Sequence, residues 1–225
     1  MMNNTSYFIP VLLAFMSCST GGLAVKEDDR LVFFGDSITE LATEPGGFIT
    51  LIGDSLVHRY PSMQLIGAGV SANKVTDLQQ RVDRDVLARR PTIVFVYIGI
   101  NDVWHAILPG LSGTPKDAYA SGLRDLISRI GSTGARVILC TPSVIGEKWD
   151  GSNKLDKKLD EYAAISRSIA KETGIELCDL RHAFIEYLKV NNPANKESGV
   201  LTEDSVHLNG EGNRLVAREM LEMLK

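Results

Sequence analysis

Short apolar runs alternate with longer amphipathic segments along most of the chain. Each run is continuously apolar rather than alternating, which is typical of strands buried on both faces of a parallel sheet. Five such runs occupy residues 31–34, 63–66, 92–98, 136–140 and 175–178. We therefore predict five β-strands.

The segments between the runs place apolar residues three and four positions apart, which predicts helices. These segments cover residues 48–58, 118–130, 155–171 and 212–224, and Gly134 and Gly174 stand where helix C-caps are expected. Because strands and helices alternate, we predict an α/β fold in which a parallel sheet is covered by helices on both faces, a three-layer α/β/α sandwich.

Composition and charge exclude several classes of protein. Apolar residues make up 44% of the 225 residues and charged residues 23%, which is ordinary for a globular domain. The net charge of −4 provides no basic surface for nucleic acid. We therefore expect no nucleic-acid partner. Since no apolar stretch approaches the roughly 20 residues of a membrane-spanning helix, we expect no membrane span either.

The N-terminal segment differs from the rest of the chain. Residues 7–16 are apolar, 17–24 are mostly small, and 26–30 are charged. This order is typical of a secretory signal peptide covering residues 1–24, although Pro10 interrupts the run and no basic residue precedes it. Cys18 offers an alternative, a lipid attachment site, and an unstructured tail is a third. We expect a secreted or periplasmic, envelope-located protein whose single domain spans residues 25–225.

Two cysteines remain outside the N-terminal segment. Cys140 and Cys178 each end an apolar run, where a buried free thiol is common. Two cysteines do not make a disulfide framework, and the sequence leaves open whether they pair.

Polar residues follow the apolar runs at three places, and a fourth polar segment lies near the C-terminus. Gly35-Asp36-Ser37 follows the first run, residues 69–73 follow the second, and residues 99–102 follow the third. Residues 204–207 precede the last amphipathic segment. Functional groups in open parallel sheets collect at the carboxyl ends of the strands, so these four segments are expected to meet at one edge.

The residue types in these segments suit acyl transfer by a serine. Ser37 is the candidate nucleophile, His207 its base, and Asp204 the carboxylate that orients His207. The N–H groups of Ser37 and Ala72 and the side-chain amide of Asn101 are candidate donors to an oxyanion. Cysteine and histidine are not clustered at ligand spacing, so we expect no metal and no cofactor.

The same segments resemble the sequence blocks of the SGNH hydrolases, also called the GDSL esterase family. Residues 35–38 resemble its first block, 99–102 its third and 204–207 its last. The resemblance implies a flavodoxin-like fold with a parallel five-stranded sheet, and catalytic roles for Ser37, Asn101, Asp204 and His207. The second block departs from the family, because Ala72 stands where a glycine usually donates its N–H; Gly69 is the alternative donor.

Several further residues are candidates for shaping the site. Trp104 and His105 are candidate substrate-binding residues, with packing or a surface position as the alternative. The segments 104–114 and 143–153 have the mixed composition of binding loops, and the polar residues 147–150 suit a hydrophilic alcohol. Asp36 and Asp102 are expected to hold their loops, and His58 and His182 are assigned no role.

We therefore expect an enzyme that hydrolyses carboxylic esters through an acyl-enzyme. Polar loops and export favour short acyl or acetyl esters, including those on carbohydrate. The alternatives are a lysophospholipase or thioesterase of the same family, acyl transfer to a sugar, and a catalytically inactive binding module on the same scaffold. The sequence does not indicate the oligomeric state.

Overall fold

A computed structural model of the chain describes residues 25–225. The predicted signal peptide and Cys18 lie outside these residues. The strands are β1 (Arg30–Gly35), β2 (Gln64–Gly69), β3 (Ile93–Tyr97), β4 (Arg136–Cys140) and β5 (Glu176–Cys178). The helices are α1 (Ser37–Leu41), α2 (Phe48–Leu56), α3 (Val75–Asp85), α4 (Ile100–Trp104), α5 (Lys116–Gly131), α6 (Asp156–Thr173), α7 (Leu180–Asn191) and α8 (Gly210–Glu222).

The five strands form one parallel sheet in the order β2-β1-β3-β4-β5. This order confirms the predicted flavodoxin-like α/β architecture. The strand order reverses between β1 and β3, because β1 pairs with β2 on one side and with β3 on the other. In such sheets a crevice opens at this reversal, outside the carboxyl ends of the strands.

Helices cover the sheet in two layers, which completes the predicted sandwich. One layer contains α2, α7 and α8, in which α8 packs against both of the others. The other layer contains α3, α5 and α6, with α5 in the middle. Each connection between consecutive parallel strands needs a crossover, and α2, α3, α5 and α6 lie in these connections, whereas α7 and α8 follow the last strand.

The central strands carry the hydrophobic core. β3 is buried along its whole length, and β1 and β4 are buried except at their first residues. Phe33 of β1 stacks on Phe95 of β3 with ring centroids 5.2 Å apart. β2 and β5 are only partly buried, because they form the two edges of the sheet. The expectation of burial on both faces is therefore right for three strands and wrong for the edge strands.

Helix boundaries differ from the predicted ones by a few residues. The last helix begins at Gly210 rather than residue 212, because Asn209 caps it by accepting from the N–H groups of Glu211 and Gly212. Gly174 is the left-handed C-cap of α6, as predicted. Gly134 is not a C-cap, since α5 ends at Gly131 and Ser132 follows as its cap.

Candidate active site

The turn between β1 and α1 presents Ser37 at the carboxyl edge of the sheet. Asp36 caps α1 by accepting from the Ile38 N–H at 3.0 Å, so Ser37 is the first residue of the helix. Its side chain is half-buried. This position places the hydroxyl beside the positive end of a helix turn.

Two successive hydrogen bonds link Ser37 to the imidazole of His207 and His207 to the carboxylate of Asp204. Ser37 Oγ lies 3.0 Å from His207 Nε2, and His207 Nδ1 lies 2.7 Å from Asp204 Oδ2. Because a carboxylate accepts, we assign the imidazole proton to Nδ1, which leaves Nε2 free to accept from the serine hydroxyl. The arrangement can remove the proton of Ser37 during nucleophilic attack.

The Asp204 carboxylate also holds its own turn together. Its Oδ1 accepts from the N–H groups of Val206 at 3.1 Å and His207 at 2.7 Å. Partial burial opposes ionisation of Asp204, but the bonds from the His207 side chain and from this backbone outweigh it and lower the pKa of the carboxyl. The side chain of Asp204 is 53% exposed and that of His207 is 28% exposed, so the site opens to solvent. A cavity of about 730 Å³ between α2 and α8 contains none of these residues.

Three groups near Ser37 are able to donate to an oxyanion. The N–H groups of Ser37 and Ala72 have no acceptor within residues 25–225. Asn101 Nδ2 donates to the Asn73 carbonyl at 3.0 Å, which leaves its second N–H available. Asn101 is the second residue of α4, and the residue before this helix is Gly99, whose φ of +129° is a conformation that side chains disfavour.

Ala72 has a left-handed backbone with a φ of +64° and is exposed. Its neighbours anchor it on both sides. The Ser71 N–H donates to Glu40 Oε2 at 2.7 Å, and the Asn73 carbonyl accepts from Asn101. The methyl group therefore restricts the backbone without preventing this conformation, which glycine would adopt more readily.

Gly69, the alternative donor, is a glycine for a steric reason. It is the last residue of β2, and a Cβ there would lie 2.1 Å from the backbone nitrogen of Glu40 in α1. Glycine is needed at this position because the backbone of Thr39 and Glu40 in α1 packs directly on the strand.

Arg81 joins three segments of the site, and the sequence analysis missed it. Its guanidinium donates to the Gly35 carbonyl at 2.7 Å, the Ala68 carbonyl at 2.9 Å and Asn73 Oδ1 at 2.7 Å. It is buried and pairs with Asp85. The available signal was a charged residue on the apolar face of α3.

Two buried carboxyl groups, those of Asp36 and Asp102, lie behind the site. Burial is the main cause that raises the pKa of Asp36 to about 7 and that of Asp102 to about 6. Asp102 is also hydrogen-bonded to the Val75 N–H at 3.2 Å, at the start of α3. Both groups hold loops in the way expected of them.

Trp104 and His105 follow Asn101 but are not hydrogen-bonded to Ser37 or His207 in the described chain. Trp104 is half-buried and packs against the core. His105 is buried, and burial lowers its pKa, so its alternative placement on the surface is wrong. His58 and His182 are exposed and lie outside the site.

Other chemistry is not apparent in the part of the chain that the structure describes. Residues 25–225 contain no group of three or more His, Cys, Asp or Glu side chains that could hold a metal ion. Cys140 and Cys178 are buried free thiols at paired positions of β4 and β5. None of the described helices has the length and apolar character needed to cross a membrane.

Comparison with known proteins identifies relatives along most of the chain. A model of the GDSL-like Lipase/Acylhydrolase family matches residues 33–215. An acetylxylan esterase of Geobacillus stearothermophilus is 31% identical over 215 residues, which are 88% of this chain and 95% of that protein. An isoamyl acetate-hydrolyzing esterase 1 homolog of Rattus norvegicus is 26% identical over 200 residues, covering 83% and 78% of the two chains.

Solved structures agree with this similarity. The acetyl xylan esterase AlAXEase has a TM-score of 0.84 and 41% sequence identity, covering 87% of this chain and all of that one. Axe2, an acetylxylan esterase from Geobacillus stearothermophilus, has been solved as three catalytic mutants, in which a serine, an aspartate or a histidine is replaced by alanine. Each has a TM-score of 0.79 and 29% identity, covering 90% of this chain and 96% of that one.

Proposed function

The chain belongs to the GDSL-like lipase/acylhydrolase family and is a carboxylic ester hydrolase, and from this premise we propose that Ser37 removes acetyl or other short acyl groups from carbohydrate. The observation that carries the proposal is the hydrogen-bonded series from Ser37 through His207 to Asp204, at 3.0 and 2.7 Å. The catalytic mutants of Axe2 replace the same three residue types, with its aspartate three positions before its histidine, as Asp204 precedes His207.

Acylation begins when His207 Nε2 takes the proton of Ser37 Oγ, which attacks the ester carbonyl carbon. The carbonyl oxygen becomes an oxyanion that accepts hydrogen bonds from the N–H groups of Ser37 and Ala72 and from the Asn101 amide. Asp204 stabilises the imidazolium and keeps its orientation. When the tetrahedral intermediate collapses, the bond to the alkoxy oxygen breaks and His207 gives its proton to the leaving alcohol.

Deacylation repeats these steps with water as the nucleophile. His207 takes a proton from water, the resulting hydroxide attacks the acyl-enzyme carbonyl, and the same three donors hold the second oxyanion. The ester bond to Ser37 then breaks, and Oγ recovers its proton from His207. The products are a carboxylic acid and an alcohol, with no cofactor involved.

Two considerations support acetyl esters as the substrate class. The named substrates of the relatives, acetylxylan and isoamyl acetate, share the acetyl group and differ in the alcohol. The site is also open, with Asp204 half-exposed and Ser37 at the sheet edge, which allows an acetyl group on a large sugar chain to reach the hydroxyl. A short acyl group on an extended alcohol fits both considerations.

We further propose that the protein acts outside the cytoplasm. The proposal rests on the order of apolar, small and charged residues in positions 1–30. Cell fractionation with mass measurement of the mature chain tests it. A chain beginning near residue 25 indicates cleavage and release, whereas a lipid adduct that disappears in Cys18→Ala indicates an anchor. An uncleaved cytoplasmic chain contradicts the proposal.

The experiment for the activity uses residues 25–225 and p-nitrophenyl acetate, butyrate, octanoate and palmitate, followed by acetylated xylo-oligosaccharides. We expect turnover to be fastest on acetate and to release acetate from the oligosaccharide. Ser37→Ala and His207→Ala should each fall to near background, and the double variant should lose little more, because the two residues act as one unit.

Other outcomes separate the alternatives. A maximum at eight carbons or more favours a lipid or thioester substrate. Transfer of acetyl to an added sugar, seen by mass spectrometry, indicates acyl transfer in place of hydrolysis. Turnover that survives in Ser37→Ala contradicts the proposed nucleophile.

A further inference from the structure

A buried carboxylate lies next to the loop that carries Asp204 and His207. Glu147 belongs to the connection between β4 and α6, whose composition predicts a polar loop facing the substrate. That interpretation is wrong for this residue, because Glu147 is completely buried. A buried carboxylate is retained only where hydrogen-bond donors surround it, so its partners show what it does.

Four donors from one short segment converge on the Glu147 carboxylate. Oε2 accepts from the Val200 N–H at 2.8 Å, and Oε1 accepts from the Leu201 N–H at 2.7 Å. Oε1 also accepts from the Thr202 N–H and, at 2.7 Å, from the Thr202 hydroxyl. Three successive backbone N–H groups therefore point at one side chain, an arrangement that suits an anion.

This segment forms one arm of the loop that carries the acid and the base. Thr202 forms an antiparallel bridge with Leu208, and the Asn209 N–H donates to the Leu201 carbonyl at 3.0 Å. Between these two arms, the Glu203 N–H donates to the His207 carbonyl at 2.9 Å. Residues 204–207 thus lie at the tip of a small two-armed loop whose first arm is held by Glu147.

The backbone around Glu147 makes further contacts with the same region. The Gly146 N–H donates to the Ser205 carbonyl at 2.8 Å, and the Glu147 N–H donates to the Glu197 carbonyl at 2.9 Å. The Glu147 carbonyl accepts from Asn192 Nδ2 at 2.9 Å. Because Glu147 is bonded through both its backbone and its side chain, it connects the carboxyl end of β4 to the loop that carries Asp204 and His207.

We propose that Glu147 is a positioning residue that sets the distance between His207 and Ser37 by anchoring residues 200–202. The inference rests on the proposed catalytic roles of Asp204 and His207. The other bonds that hold residues 204–207 come from the Gly146 and Glu203 N–H groups and from the half-exposed Asp204 carboxylate itself. A glutamine at this position replaces one of the two acceptor oxygens by an NH2 donor, so at least one backbone N–H of residues 200–202 loses its acceptor and faces a donor. The arm is then expected to shift to satisfy that N–H.

The test compares Glu147→Gln with Glu176→Gln. Glu176 pairs with Arg136, and these are the first residues of β5 and β4, at the end of the strands opposite the site. Its replacement therefore changes a hydrogen-bonded carboxylate without touching the site. We expect Glu147→Gln to lower kcat on p-nitrophenyl acetate by about 10- to 100-fold with KM changed by less than about threefold, because misplacement of a catalytic group by 1 Å has an effect of this size. Glu176→Gln should retain kcat.

Two further measurements distinguish positioning from general loss of structure. The low-field proton resonance of His207 Nδ1, bonded to Asp204 at 2.7 Å, should weaken or shift in Glu147→Gln and persist in Glu176→Gln. In an Asp204→Asn background, Glu147→Gln should cause little further loss of kcat, because both changes act through His207. A purely structural defect would multiply with the Asp204 change.

A milder variant covers the case in which Glu147→Gln does not fold. Thr202→Val keeps the shape of the side chain and removes only the hydroxyl donor, so a smaller loss of kcat is expected at unchanged KM. The inference is overturned if a folded Glu147→Gln, or Thr202→Val in its place, matches wild-type kcat and resonance. If instead Ser37→Ala retains wild-type turnover, the proposed function itself fails and not this inference alone.

Discussion

Removal of one backbone N–H tests the proposed oxyanion site most directly. Replacing Ala72 with L-lactic acid, through an α-hydroxy acid introduced at a nonsense codon, changes the amide to an ester. The methyl group and the side-chain stereochemistry remain, and only the N–H is lost. The Ala72 N–H is suited to this test because it has no acceptor within residues 25–225 and lies in an exposed turn.

The structure predicts different effects on rate and on stability. One oxyanion donor contributes about 10²–10³ in kcat, or roughly 2.7–4 kcal/mol of the barrier. Deleting this N–H leaves no buried acceptor without a partner, because none of the described groups accepts from it. We therefore expect kcat on p-nitrophenyl acetate to fall about 100- to 1,000-fold, while the melting temperature stays nearly constant.

Ala72→Gly is the matched control because it keeps the N–H and removes the methyl group. A left-handed conformation costs a non-glycine residue about 1–2 kcal/mol. Glycine gains about 0.4–1 kcal/mol of unfolded-state entropy in return. The free energy of unfolding should thus rise by zero to roughly 1.5 kcal/mol, at unchanged or improved kcat.

The assay is steady-state kinetics of the ester variant, the glycine variant and the wild type, with thermal unfolding of each. If the ester variant keeps kcat within about threefold of the wild type, the Ala72 N–H is not an oxyanion donor. The same conclusion follows if Ala72→Gly loses activity to the same extent as the ester variant. In either case the oxyanion is held by groups other than the Ala72 N–H.

Three further predictions concern the surroundings of the same site. Asn101→Ala should lower kcat by about 10²–10³ with little change in KM, measured on p-nitrophenyl acetate, because a donor that acts in the transition state is lost. Arg81→Lys should lower the free energy of unfolding by about 1–3 kcal/mol in urea titrations and lower kcat as well, since a lysine cannot bond to the Gly35 and Ala68 carbonyls in the same fork. Burial raises the pKa of Asp36 from 3.8 to about 7, so protonation of this carboxyl favours the folded state. The contribution to the free energy of unfolding is complete below pH 3.8 and is lost as the pH rises through 7. In Asp36→Asn, whose amide oxygen can still cap α1, urea unfolding between pH 4 and 8 should show a smaller decline than in the wild type; an identical decline would contradict this origin.

Three of the five strands were the easiest to recognise from the sequence because they are central to the sheet. A strand buried on both faces must be apolar at successive positions, so β1, β3 and β4 stand out as continuous runs. The exact ends of the helices were less visible in the sequence, because a helix begins where a side chain satisfies its free N–H groups. Asn209 does this for α8 three residues before the predicted start, so the helix begins two residues earlier than predicted.

The candidate site was also visible because its residues lie at the ends of strands or in one short loop. Ser37 lies two residues after the end of β1, and Asp204 and His207 are three residues apart, so local sequence and the parallel arrangement of strands suffice to bring them together. The left-handed conformation of Ala72 was not predicted, since alanine carries no signal for it.

Residues that support the site from a distance required the tertiary structure. Arg81 bonds to Gly35, which lies 46 positions away, and Glu147 bonds to Thr202, which lies 55 positions away. An arginine on a helix and a glutamate in a loop are ordinary surface residues in a sequence, and only the packing of distant segments buries them. The strand pattern and the candidate reacting groups could thus be predicted, because they depend on local residue types and their order. The charged residues that hold those groups could not be, because a buried charge is recognised by the partners that folding brings to it.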